Sequence, residues 1–214
     1  MVSKIELSSR DRRRQSIISI AKAIFLKEGY GAASMSHIAA EVGGSKATLY
    51  AYFKCKTDLF AAVVESISGE FSGDAITADL ARGDLRDDLL RTGLRLIAFI
   101  RQPETMAMQR LVIGEAERFP ELGQVFFETG PRQKLNQISS YLQKAMDEGR
   151  LRRADPMLAA EHFFALCRAR GHHRMLWNVG PRPSPEEMEQ EVRAAVAVFC
   201  DAYAPHLAPL NAAP

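Results

Sequence analysis

Residues 43–56 read GGSKATLYAYFKCK, from Gly43 to Lys56. A glycine pair followed by Ser-Lys suits a loop that cradles a phosphate. It suits equally a tight turn into a short helix whose Lys and Tyr side chains meet DNA. The phosphate loop needs Gly-x4-Gly-Lys-Ser/Thr after a buried strand. Here Ser45 separates the glycines from Lys46, and the flanking sequence has the period of helices.

Upstream, Ser34 is a good N-cap, and Met35, Ile38, Ala39 and Val42 follow at i, i+3, i+4 and i+7. Gly43 and Gly44 stop that helix, since glycine readily takes the left-handed backbone just past a helix end. Ser45 caps a short third helix that turns Leu49 and Phe53 toward the core. Thr57 is expected to cap a fourth, with Leu59, Phe60, Val63, Val64 and Ile67 as its apolar stripe. A first helix over 9–28, with Ile17, Ala21, Ile24 and Phe25 on one face, ends at Gly29.

The remainder is also helical in period. All ten prolines lie at Pro103 or later, and no Asn-Gly or Asp-Gly hairpin turn interrupts alternating apolar runs. Helices are expected over 84–101, 104–117, 120–146, 155–177 and 185–203. Pro131 should kink or split the third of these, and Gly149 should close it. Asp155-Pro156 reads as cap plus first turn, and Ser184-x-x-Glu187 as a capping box. The expected fold is all-α with about nine helices. Its domains are a DNA-binding head at 1–56, a connecting helix at 57–73 that acts as the lever, and a helical body at 74–214. Gly69 and Gly73 mark the boundary.

The chain has 214 residues, 47% hydrophobic and 25% charged, as a soluble globular protein does. No apolar run reaches the ~18 residues of a membrane span, and no apolar segment follows the N-terminal charges. Cys55, Cys167 and Cys200 are isolated and odd in number, which argues against a disulfide framework or zinc site and suits a reducing cytoplasm. The net charge of +2 conceals a basic head: residues 1–56 hold ten Lys or Arg against four Asp or Glu. Only that end should meet a polyanion.

With Leu49 and Phe53 inward, Lys46, Ala47, Thr48, Tyr50 and Ala51 form the outer arc of the third helix. Lys46 suits a guanine edge or a phosphate, Thr48 either, and small Ala47 a thymine methyl. Tyr50 and Tyr52 have the length to reach phosphates, Lys54 and Lys56 add charge, and Ser34 and Ser45 stand at helix N-termini. The expected DNA set is thus Ser34, Ser45, Lys46, Ala47, Thr48, Tyr50, Tyr52, Lys54 and Lys56. Arg10, Arg12, Arg13 and Arg14 are either a solvated helix start or an arm on the DNA backbone.

These residues carry a resemblance. Residues 10–67, from RRRQSIISIAKAIFLKEGYGAASMSHIAAEVGGSK through ATLYAYFKCKTDLFAAVVE, resemble the DNA-binding domain of TetR-family transcriptional regulators. The matching positions are Gly29-Tyr30, Ser34-Met35, Ile38-Ala39, Gly43, Ser45-Lys46, Leu49-Tyr50, Phe53 and Lys56. Gly44 departs from the valine usual in the family, which should cost packing and loosen the turn. The stretch MQRLVIGEAERFPELGQVFFETGP resembles the subgroup with an AefR-like C-terminal domain. The resemblance implies a dimeric repressor on a palindromic operator, released by a small-molecule effector, with no catalysis and no cofactor. The alternative is an architectural DNA-binding protein that answers to no effector.

Phe99, Met106, Arg110, Phe126, Phe127, Phe163 and Trp177 are candidate effector contacts, because Met and aromatic side chains line adaptable cavities. His172 and His173, with His162, invite a metal, but neighbours on a helix point about 100° apart and share an ion poorly. Arg168, Arg170 and Arg174 favour an anionic effector; Glu115 and Glu117 oppose it if they face inward. Leu158, Phe163 and Leu166, with Met188, Val192, Val196 and Phe199, suit a dimer through the last two helices. Cys55 reads as a redox switch or a small space-filler. No paired carboxylates or nucleophile–base set suggests an enzyme.

Overall fold

The computed structural model describes residues 8–69 and 84–205. Its elements are α1 (Ser9–Glu28), α2 (Met35–Glu41), α3 (Lys46–Tyr50), α4 (Lys56–Ser68), α5 (Leu85–Ile100) and α6 (Pro103–Glu115). They continue with α7 (Pro120–Thr129), α8 (Pro131–Asp147), α9 (Pro156–Arg168), α10 (His172–Leu176) and α11 (Pro185–Ala202). No strand occurs among the described residues, so the all-α expectation holds. There are more helices than the sequence suggested because two expected elements are divided. Pro131, without an N–H, splits 120–146 into α7 and α8. The expected helix 155–177 breaks after Arg168, and buried Gly171 precedes the separate α10.

The chain forms two compact units. The first holds 8–69 and 107–130. In it α1 packs on α4 and α4 on α7, and α2 packs on α3. Three fully buried rings, Phe25, Tyr30 and Phe60, meet at 5.4–5.7 Å between centroids. Each such ring contributes on the order of 1.5–3 kcal/mol by burial. α4 is capped by Cys55, whose Sγ accepts from Asp58 N at 3.4 Å, and not by Thr57. Thr57 is drawn away by Tyr30, whose hydroxyl lies 3.1 Å from Thr57 Oγ1. The connecting helix expected at 57–73 is helical to Ser68; Phe71, Gly73 and the rest of 70–83 lie outside the described residues.

The second unit comprises 84–106 and 131–205 in the described range. α9 packs against α8 and α11, and α11 against α5. Its core includes Leu89, Leu96, Ile138, Leu142, Phe163, Val192 and Phe199. Gly93 makes the α5–α11 approach possible: a Cβ there would lie 2.6 Å from Val192 Cγ1 and 3.3 Å from Cys167 Sγ. A carboxylate is enclosed in this unit. Asp88 is 1% exposed, ion-pairs with Arg91 and accepts from the Tyr141 hydroxyl at 2.8 Å. Burial, helped by that bond, pushes the Tyr141 phenol up to about 12.

Candidate nucleic-acid interface

α2 ends in a paired turn. Gly43 N donates to Ala40 O at 3.0 Å and Gly44 N to Ala39 O at 3.1 Å, with Gly43 at φ +68°. These are the two bonds of a Schellman stop, and they need a residue at ease in the left-handed region. Ser45 Oγ then accepts from Thr48 N at 3.1 Å and starts α3. A third bond braces the turn: Arg13 Nη2 on α1 donates to Val42 O at 3.1 Å. The same guanidinium lies 3.3 Å from where a Cβ on Gly44 would stand. Arg13 therefore occupies space beside the turn that a valine would contest, and the expected loosening at Gly44 is offset by a hydrogen bond.

Leu49 and Phe53 are buried as expected, and Lys46, Ala47, Thr48, Tyr50 and Ala51 are exposed. The five form one arc of a helix too short to offer any other face. Ser34 is exposed at the start of α2, its Oγ accepting from His37 N at 3.1 Å. Lys54 is exposed, and Tyr52 is half-buried beneath Arg10, 5.9 Å from its ring. Thr48 does not present a free hydroxyl, since Oγ1 pairs with Ser45 Oγ at 2.9 Å. Arg10, Arg13 and Arg14 lie on α1 and pack back on the head, Arg14 over the Phe53 ring at 5.2 Å; a detached arm is not what they form.

Lys56 departs most from expectation. Its Nζ donates to Tyr30 O at 2.7 Å and Ala33 O at 2.9 Å and sits 4.1 Å from the Tyr30 ring centroid. Its ammonium is spent on the loop that leads into α2 rather than left for a phosphate. Burial lowers its pKa, and Glu115 and Glu121 partly restore it.

Glu115, at the end of α6, stands in the sequence only as a charge that an inward-facing effector would meet, and nothing there signals its role in the head. Its Oε1 and Oε2 accept from Tyr30 N and Gly31 N, each at 2.6 Å. A carboxylate on α6 thus clasps the turn between α1 and α2 across more than eighty residues of chain. Both of its oxygens are engaged by backbone amides, and the residue also lines a cleft beside Arg110.

The predicted effector contacts are divided between the two units, with Arg110, Phe126 and Phe127 in the first and Phe99, Met106, Phe163 and Trp177 in the second. Phe163 is buried edge-on to Phe199, while Trp177 is 71% exposed. Phe127 is 38% exposed and Phe126 half-buried; Phe99 and Met106 are buried in the second unit. Arg110 lines an open cleft of about 370 Å3 in the first unit with Phe25, Leu26, Leu111 and Glu115. His172 is buried and His173 exposed, so the pair does diverge, and His162 Nδ1 is 2.8 Å from the Tyr203 hydroxyl. Among the described residues no three metal-binding side chains gather.

Residues 17–63 match the family described as bacterial regulatory proteins, tetR family, and residues 87–205 match the AefR-like transcriptional repressor C-terminal domain. The chain belongs to the TetR family. It is a DNA-binding transcriptional regulator with an N-terminal helix-turn-helix and an AefR-like C-terminal domain. The nucleoid occlusion factor SlmA of Edwardsiella ictaluri is 29% identical over 76% of this chain and 82% of its own length. The regulator BetI of Rhizobium meliloti is 32% identical over 51% of this chain and 55% of its own. Among solved structures, a TetR-family transcriptional regulator from Mesorhizobium loti has a TM-score of 0.78 at 31% identity, covering 92% of this chain and all of that one. The flavonoid-responsive regulator FrrA has a TM-score of 0.77 at 30% identity, covering 92% of this chain and 99% of its own. Family and fold are those of transcriptional regulators, and no described helix is long and apolar enough to cross a membrane.

Proposed function

We propose that this TetR-family regulator is a dimeric repressor whose two heads read a palindromic operator and release it on binding a small molecule. The observation that carries the reading is the exposed arc of α3, with Lys46, Ala47, Thr48 and Tyr50 held outward by buried Leu49 and Phe53. One such short helix covers half a site, so a two-fold dimer is needed to span half-sites one helical turn apart. Of the stripes expected at a dimer face, Phe163, Val192, Val196 and Phe199 are consumed inside the chain. Leu158, 45% exposed, and half-buried Leu166 and Met188 remain of those stripes, and Val198 on α11, 52% exposed and outside the expected set, adds to them as the apolar contribution to a partner.

The test is a gel shift with the gene's own upstream DNA at graded salt, together with sedimentation of the free protein. A dimer that prefers one palindrome over random DNA supports the reading; a monomer, or binding uniform across sequences, overturns it. A second reading follows from the likeness to a nucleoid occlusion factor: DNA binding without an effector. Sites scattered through the chromosome, with occupancy indifferent to added metabolites, favour it.

A further inference from the structure

The corner between α10 and the start of α11 encloses a cavity of about 220 Å3, lined among others by Arg170, Gly171, Arg174, Met175, Glu187 and Glu191. Both wall carboxylates already have partners. Glu187 Oε2 accepts from Ser184 N at 2.7 Å, and Glu191 Oε2 from Arg101 Nη2 at 2.6 Å. Arg170 and Arg174, four residues apart and both exposed, add two positive charges that these pairings leave unanswered.

A third cation stands behind the wall. The Arg101 side chain is 4% exposed, yet its Nε and Nη1 have no hydrogen-bond partner among the described residues. Buried donors left without an acceptor keep their full desolvation cost, so such a group is an open request for an acceptor. His172 Nδ1 is orphaned in the same way. At Gly171 the wall thins to bare backbone: a Cβ there would lie 2.8 Å from Arg101 Nη2 and 3.4 Å from Glu191 Oε1. The glycine therefore brings the buried pair up against the cavity.

We propose that this cavity binds a small carboxylate-bearing metabolite, gripped by Arg170 and Arg174 and backed by Arg101. Guanidinium forks match a planar carboxylate with two parallel hydrogen bonds. A phosphate dianion would meet greater repulsion from Glu187 and Glu191, so the single charge fits better. Glu191 Oε1 suits a hydroxyl or amine on the same molecule. The volume lies below the ~300–1,000 Å3 of pockets for drug-sized ligands, which limits the occupant to a small acid. As the effector this ligand rests on the function proposed above; as a bound molecule it does not.

Binding is therefore measured first without DNA, on the full chain, with lactate, succinate, glutamate, benzoate and inorganic phosphate as probes. Calorimetry gives affinity, and the Nε–Hε resonance of Arg101 reports occupancy at the site. The expected result is that at least one carboxylate saturates, shifts that resonance and binds at least tenfold more weakly to the Arg170→Ala/Arg174→Ala variant. Both residues are exposed, so the variant should keep the wild-type melting temperature. No carboxylate binding, equal affinity in the double variant, or phosphate as the sole binder overturns the proposal. A separate gel shift with the bound acid then tests release from the operator. Binding without release sinks the effector role and leaves the site standing.

Discussion

Lys56 and His172 show how far a side chain's role depends on what folds against it. Lys56 follows Lys54 in a basic run, and charge alone does not tell the two apart. In the structure Lys54 faces solvent, while Lys56 holds the carbonyls of Tyr30 and Ala33. Lys56→Met should leave both carbonyls short of a donor and cost about 1–3 kcal/mol. Thermal unfolding should report that loss, while the salt dependence of DNA binding stays as in wild type; a phosphate contact would give the reverse pattern. His172 is buried near Arg168, His173 and Arg101, and desolvation first, then those charges, pulls its pKa from about 6.5 to about 4. The imidazole is thus neutral in the folded chain, and the unfolded chain takes up the proton first as pH falls. Its stabilising contribution is complete above pH ~6.5 and is lost progressively down to pH ~4, with about 2 kcal/mol gone by pH 5. Urea midpoints at pH 7.5 and 5 should therefore diverge in wild type and draw closer in His172→Gln.

At the scale of elements, what the sequence made legible was local. Gly29, Gly43 and Gly149 end helices as expected, each at positive φ, and Ser34, Ser45, Asp155 and Ser184 cap the helices assigned to them. Caps and stops depend on neighbours three or four residues away, so spacing alone reveals them. The cap of α4 was misplaced because Thr57 is the better capping residue in isolation, and only the distant Tyr30 claims its hydroxyl. The break after Arg168 was hidden because the apolar run continues through it. Non-local contacts were not legible at all. Glu115 reaches Tyr30 and Gly31, Asp88 reaches Tyr141, and Arg101 reaches Glu191 across separations that leave no period. Gly93 belongs to the same class. Inside a helix it appears only as a poor helix former, yet α11 presses against it. Gly93→Ala should therefore destabilise the chain by about 1–3 kcal/mol through overpacking, although alanine is the better residue for an isolated helix. A rise in the denaturation midpoint would show that Val192 yields and that the α5–α11 approach is not tight.

For the whole molecule, the distribution of charge constrains what binding can look like. Residues 1–56 carry six more positive than negative charges, while the rest carries four more negative than positive. On the function proposed above, a body of that sign disfavours wrapping by DNA, so contact is expected at the basic head and the number of neutralised phosphates should stay small. The logarithm of the affinity should fall linearly with the logarithm of salt concentration, with a slope of about −0.9 per phosphate contacted. Several of the head's cations are already engaged: Lys56 by carbonyls, Arg13 by Val42 O, Arg10 and Arg14 over aromatic rings. Lys46 is exposed on the arc proposed to enter the groove, and its removal separates two modes of contact. If Lys46 reads a base edge, Lys46→Ala should cost about 1–3 kcal/mol on the preferred site, little on random DNA, and leave the salt slope unchanged. If it neutralises a phosphate, affinity for both DNAs should fall together and the slope should drop by about one per subunit. Position on the exposed arc, beside small Ala47 and ahead of Thr48, favours the base edge. Titrations of both DNAs at four salt concentrations, wild type beside variant, distinguish the outcomes; parallel losses on the two DNAs would move sequence reading away from Lys46.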